Sequence, residues 1–170
     1  MGSYKDNTEA AREKLCGVMS ETGVAMVTTV ETDGSLRARP MAGQFLDDDW
    51  SRFYFLTGLS SHKTKEVMHD PRVNLAFVKG GDFVSVSGAA KISREPALID
   101  RLWSEAQRGW FPRGKDDPEI CTLVVDLDYG EYWDPASAGV TAAYGWAKAV
   151  LSGRSAEGDL GDNAKVRLGA

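Results

Sequence analysis

The stretch Thr57-Gly58-Leu59-Ser60-Ser61-His62-Lys63-Thr64-Lys65 gathers hydroxyls, an imidazole and two lysines where a β-branched, aromatic run gives way to a helical pattern. The first-turn N–H groups of such a helix have no partner within it, which makes the spot a natural anion site. An ordinary serine cap with solvated lysines is the plain alternative. A second segment bears on the choice. From Leu36 to Phe45, the two-residue alternation of a strand puts Arg37, Arg39 and Met41 on one face. If that strand pairs with the one ending at Thr57, Arg39 comes near the helix start at Ser61. An arginine fork beside a helix N-terminus suits a phosphate monoester, whereas Arg37 reads better as a solvated edge residue.

Other chemistry-bearing residues are more ambiguous. Trp133, in Glu131-Tyr132-Trp133-Asp134, serves equally well as a core residue or as a surface for an aromatic ligand. Trp110, Phe111, Tyr144 and Trp146 offer further aromatic area that ordinary packing also explains. His62 and His69 are the only histidines, and no nucleophile-elbow sequence accompanies them, so a Ser-His-Asp triad is not supported. No glycine-rich nucleotide fingerprint follows a strand. Cys16 and Cys121 stand far apart, and no Cys/His cluster has metal-ligand spacing, so buried inert thiols are expected and no metal. No catalytic side chain is identified. A phosphate site, aromatic surfaces and no protein-side catalytic group together point to a phosphorylated, flat, redox-active cofactor that carries the chemistry itself.

The elements that must position these residues follow from periodicity and turn signals. Thr8 to Ser20 places Ala11, Leu15, Val18 and Met19 at helical spacing. Strands are predicted at Val24–Val30, Leu36–Phe45, Arg52–Thr57, Val73–Lys79, Asp82–Ile92 and Ile120–Leu127, the last extending toward Trp133. Asp33-Gly34 and Gly80-Gly81 mark tight turns, Asp47-Asp48-Asp49 a solvated loop, and Pro40 an edge or bulge. Helices are predicted from Ser60 to His69, from Pro96 to Gln107 and from Val140 to Leu151, with a short last strand at Lys165–Leu168. Most connections before residue 92 are too short for parallel crossovers, so the pattern argues for a small closed or split antiparallel barrel.

At 170 residues, with 42% hydrophobic and 26% charged residues, a single globular domain is expected, with residues 134–170 as a C-terminal helical extension. The formal net charge of −5 argues against a wide basic surface for nucleic acid and against anionic membranes. The N-terminal residues are polar and charged, neither a signal peptide nor a span, so a cytoplasmic protein is expected.

Taken in order, Asp33-Gly34-Ser35-Leu36-Arg37-Ala38-Arg39-Pro40-Met41, Phe53-Tyr54-Phe55-Leu56-Thr57-Gly58, Ser60-Ser61-His62-Lys63 and Asp70-Pro71-Arg72-Val73 resemble the pyridoxamine 5′-phosphate oxidase-like, FMN-binding split-barrel superfamily. The Arg39-Pro40-Met41 segment and Glu131-Tyr132-Trp133-Asp134 resemble its general stress protein 26 branch. The resemblance implies a six-stranded antiparallel FMN-binding split β-barrel with peripheral helices, and a homodimer whose sites are built from both subunits. It also implies FMN, ahead of FAD or a deazaflavin, with haem a remoter choice. Arg39, Pro40 and Met41 would lie along the flavin, Thr57 near its ring or ribityl chain, and Ser61, His62 and Lys63 at its phosphate, while Trp133 would shape the ring region. His62 stands where the oxidases carry an arginine, and Gln44 about where they carry a lysine. Residues 134–170 contain no histidine and only Arg154 and Arg167, whereas the true oxidases end in an Arg/His substrate motif. Vitamin B6 oxidation is therefore disfavoured. The implied function is a flavin-dependent oxidoreductase of the general stress protein type, exchanging electrons with an unknown small molecule. The alternative is a non-catalytic flavin-binding or redox-sensing stress protein.

Overall fold

A computed structural model describes residues 8–47, 49–134 and 162–169. Helix α1 (Glu9–Thr22) begins where the Thr8 hydroxyl accepts from the Ala11 amide at 3.2 Å, and it ends at Gly23, whose φ of 62° only glycine adopts cheaply. Its buried face, Ala11, Leu15, Cys16, Val18 and Met19, is the one that the sequence spacing predicts. Strand β1 (Val24–Val30) follows at once, with Ala25, Val27 and Thr29 buried and Val24 and Met26 exposed, the alternation of a strand with one face in the core.

The remaining strands are β2 (Leu36–Leu46), β3 (Asp49–Gly58), β4 (Arg72–Lys79), β5 (Asp82–Ser93), β6 (Ile120–Asp134) and β7 (Asp162–Arg167). Helix α2 (His62–His69) links β3 to β4, and α3 (Pro96–Leu102) lies between β5 and β6. Every pairing is antiparallel. Strands β3-β2-β1-β4-β5-β6 run in that order, and β6 returns to pair with β3 from Ile120 to Asp126, closing a six-stranded barrel. The second half of β6, Tyr129 to Asp134, pairs with β7 instead. The barrel centre is aromatic and aliphatic: Phe53, Phe55, Phe77, Leu75, Leu123 and Val125 are buried, and Phe53 meets Phe77 edge-on at 5.5 Å.

Two irregularities shape the barrel. The β5–β6 register shifts between Ser87 and Gly88, where a Cβ on Gly88 would stand 2.3 Å from the Asp126 carbonyl oxygen. The backbones of β5 and β6 therefore approach closely at Gly88. The second irregularity is that β2 and β3 pair only from Gly43 to Leu46. Beyond Phe55, strand β3 holds to β6 alone, through Leu56, Thr57 and Gly58, while Leu36 to Ala42 of β2 hold to β1 alone. The barrel wall is thus split between β2 and β3. Pro40 lies on that open stretch, where a missing backbone donor costs least.

Three expectations need correction. Asp49 opens β3 rather than closing a loop: it pairs with Leu46 and its carboxylate accepts from the Ser51 amide at 2.9 Å. The helix predicted from Pro96 to Gln107 ends at Leu102, and a separate 3-10 turn spans Glu105–Gly109. Phe111 packs with Ile99 and Ile120, and a straight helix to Gln107 would carry the chain away from that contact. The last strand starts earlier than Lys165, at Asp162. The helix predicted from Val140 to Leu151, with most of the C-terminal extension, lies outside the described residues.

Candidate functional site

The split between β2 and β3 is where the chemistry-bearing residues collect. After Gly58 the chain turns sharply: the Leu59 amide donates to the Glu119 carbonyl at 2.7 Å, and the Thr64 hydroxyl donates back to the Gly58 carbonyl at 2.9 Å. Ser61 occupies the N-cap of α2, yet its hydroxyl caps no backbone amide and lies 2.9 Å from the Thr64 hydroxyl. The His62 and Lys63 amides of the first turn of α2 therefore have no backbone partner among the described residues, and Glu66, a turn further on, reaches Arg39 of β2.

Two cavities adjoin there. The first, about 470 Å³, is polar, lined by Arg37 and Arg39 of β2, by Ser61, His62, Lys63 and Glu66, and by Glu31 from the β1–β2 turn. The second, about 340 Å³, runs along the open edge of β2. Its walls are Pro40, Met41 and Ala42 on one side and Leu56, Thr57 and Gly58 on the other, with Gln107, Trp110 and Phe111 of the 3-10 segment above. Lys63 lines both.

The charges of the polar cavity are mostly spoken for. Arg37 pairs with Glu31. Arg39 pairs with Glu66 at 2.8 Å and also donates to the Thr29 hydroxyl. Thr29 in turn donates to the Glu66 carboxylate at 2.5 Å. Burial alone would raise the Glu66 carboxyl, but the Thr29 hydrogen bond and the Arg39 charge more than offset it and hold the group below its ordinary value. Lys63 is different. It is half-buried and has no hydrogen-bond or ion-pair partner among the described residues. Burial first, and then the nearby Arg39 charge, hold its ammonium below the usual lysine range. In the apolar cavity, Thr57 is 3% exposed and its hydroxyl has no hydrogen-bond partner.

The split thus gathers Arg39, Ser61 and His62 in one cavity and Pro40, Met41 and Thr57 in the next, with Lys63 in both, whereas the resemblance sets Arg39 with Pro40 and Met41. Trp110 and Phe111 join the second as aromatic walls; Tyr144 and Trp146 lie outside the described residues. Lys65 and Gln44 are exposed and line neither cavity. Trp133 also lines neither: it stands on the outer face, opposite Phe83 of β5 and Asn163 of β7. Glu66, Glu31 and Gln107 escape the sequence reading. Glu66 has a signal, since it follows His62 by four residues and so shares its helix face. Cys16 and Cys121 are buried, and burial pushes the Cys16 thiol up to about 12, which fits inert packing. Among the described residues no three His, Cys, Asp or Glu side chains group as a metal site, and no helix is long and apolar enough to cross a membrane.

The sequence model for pyridoxamine 5′-phosphate oxidase-like proteins matches residues 10–157. The chain belongs to that family. Within it, the general stress protein 26 of Bacillus subtilis is 30% identical over 125 residues, covering 71% of this chain and 86% of that protein. This places the chain in the general stress protein 26 branch. Among solved structures, the general stress FMN/FAD binding protein of Xanthomonas citri is 29% identical, with a TM-score of 0.65 over 74% of this chain and 89% of its own. A candidate general stress protein 26 from Jannaschia shares the fold at a TM-score of 0.70 and 23% identity, over 94% of this chain and 99% of that one. The Xanthomonas citri protein is named for FMN/FAD binding, and a heme binding protein of Mycobacterium smegmatis shares the fold at a TM-score of 0.59 and 16% identity, over 74% of this chain and 54% of that one.

Proposed function

We propose that the two adjoining cavities hold FMN, phosphate in the polar one and ring along the split, and that the protein is a flavin-dependent oxidoreductase acting on a small molecule. The observation that carries this reading is Lys63, a half-buried cation without an anionic partner, placed where a polar cavity meets an apolar one. The residues suit the cofactor at both ends. Lys63, the free edge of Arg39 and the first-turn amides of α2 would hold the phosphate. The unpartnered Thr57 hydroxyl would take a polar atom of the ribityl chain or ring, with Met41, Pro40 and Trp110 against the ring's apolar surface. Trp133 reaches a flavin only if a second copy of the chain meets this one, so its role rests on the homodimer proposed with it.

Bound flavin supplies hydride or electron transfer at its N5. The chain's own part is to seat and shield the reacting edge. Both carboxylates of the polar cavity are engaged by arginines, and Lys63 is the one titratable side chain on the walls of the apolar cavity, so the protein provides position and a cation rather than a carboxylate or imidazole for acid–base help. That same observation favours a second reading, a non-catalytic flavin binder or redox sensor.

The test is an absorbance spectrum of the concentrated protein before and after adding FMN and desalting. Retained oxidised-flavin bands are expected. K63Q should release the flavin, a loss of roughly 1.5–3 kcal/mol for a hydrogen bond to a charged group. A wild-type protein that releases all added FMN sinks the proposal. Anaerobic bleaching of the bound flavin by NAD(P)H, faster than for free FMN, separates the oxidoreductase from the inert binder.

A further inference from the structure

A phosphate site built for tight retention would leave its cations free, yet here two of the three carry built-in counter-ions. Arg37 is matched by Glu31 and Arg39 by Glu66, so the cavity's side chains sum to three positive and two negative charges, a net +1 with His62 neutral. A phosphate monoester carries about −1.5 to −2 at neutral pH. The helix N-terminus adds only about half a positive charge.

The Glu66 carboxylate is no incidental surface group. It is 6% exposed and anchored by Thr29 of β1 at 2.5 Å and by Arg39 of β2 at 2.8 Å. Burying a carboxylate is costly unless it is paired and hydrogen-bonded, and both conditions are met here on the wall of an anion cavity. Its effects are opposed. It aims the Arg39 guanidinium, and it also repels any anion that enters beside Lys63.

Building on the flavin reading above, we propose that Glu66, with Glu31 as the weaker partner, limits the charge of the phosphate cavity so that the flavin is held exchangeably rather than permanently. The two glutamates act against the phosphate end alone; the ring end of the site does not feel them. Glu66→Gln keeps an oxygen to accept from Thr29 and Arg39 while removing the charge. Glu31→Gln does the same at an exposed ion pair, where folding is not at risk.

The experiment measures affinities for FMN, riboflavin and inorganic phosphate in wild type, E66Q and E31Q, each at low and high salt. Flavins are followed by fluorescence quenching and phosphate by the shift in melting temperature. E66Q should bind FMN about three- to tenfold more tightly and release it correspondingly more slowly, as removal of one nearby negative charge predicts. E31Q should shift in the same direction by less. Riboflavin affinity should not change, and salt should erode the gain. Phosphate should stabilise both variants more than wild type. The proposal is overturned if folded E66Q or E31Q binds FMN and phosphate no more tightly than wild type, or if FMN and riboflavin shift together. Should E66Q fail to fold, E31Q alone decides. If phosphate binds with the expected order while FMN does not bind at all, the charge limit stands and the flavin reading falls. If no variant binds either, both fall.

Discussion

Lys63 owes its lowered proton affinity to burial and to the Arg39 guanidinium nearby. A bound phosphate would favour the charged form and raise that affinity again. Binding and protonation are therefore linked: FMN affinity should be full while Lys63 is protonated and decline as pH rises through its depressed value, below the ordinary 10.5. K63R, whose guanidinium stays charged, should bind FMN with no such decline. Titrations of flavin fluorescence between neutral pH and pH about 10 check this, and a wild-type affinity that is flat across the range would remove Lys63 from the phosphate. The sequence makes Lys63, Ser61 and Arg39 legible because a helix start and a strand alternation are local patterns. It hides Glu66, whose importance comes from Thr29 and Arg39, residues 37 and 27 positions away. It also overstates Lys65, which the helix turns toward solvent.

Among the elements, β1 runs over the same seven residues that the sequence predicts, because its alternation is bounded by Gly23 and by the Asp33-Gly34 turn. The connection between β5 and β6 is less legible. Its break after Leu102 is set by Phe111 folding back onto Ile99 and Ile120, a tertiary contact that no local propensity encodes. That break also swings Gln107 and Trp110 over the second cavity, so the part of the site that sequence resolves least belongs to the element it predicts least well. Gly88 of β5 has a clear structural cause. The Asp126 carbonyl oxygen leaves no room for a methyl group, so G88A should force β5 and β6 apart at the register shift. A loss of roughly 1–3 kcal/mol, typical of overpacking, should appear as a lower urea midpoint. An unchanged midpoint would mean that the two strands can separate there at no cost.

At the scale of the whole molecule, the described residues include one broad outer face that is apolar and exposed. Val78 is 60% exposed, and Val24, Met26, Phe83 and Trp133 are exposed beside it on β1, β4, β5 and β6. Pro40 and Ala76 flank Met26 across the strands. Contiguous apolar exposure on this scale marks an interaction surface, and its continuity with Pro40, a wall of the second cavity, is what supports the homodimer proposed above. Sedimentation equilibrium should give twice the chain mass, and F83D should give the single-chain mass with its far-ultraviolet circular dichroism intact. A wild-type protein that sediments as one chain would leave Trp133 with no route to the flavin.

Strand β6 serves two neighbours in turn, β3 along its first half and β7 along its second. Without β7, the backbone from Tyr129 to Asp134 would present a straight row of bare amides and carbonyls, flanked by the aromatic rings of Tyr129 and Trp133. Such a row is a template on which other chains stack into fibrils. Six residues near the end of the chain thus act as a selvedge: they contribute nothing to either cavity, but they keep the woven edge of the barrel from unravelling into its neighbours.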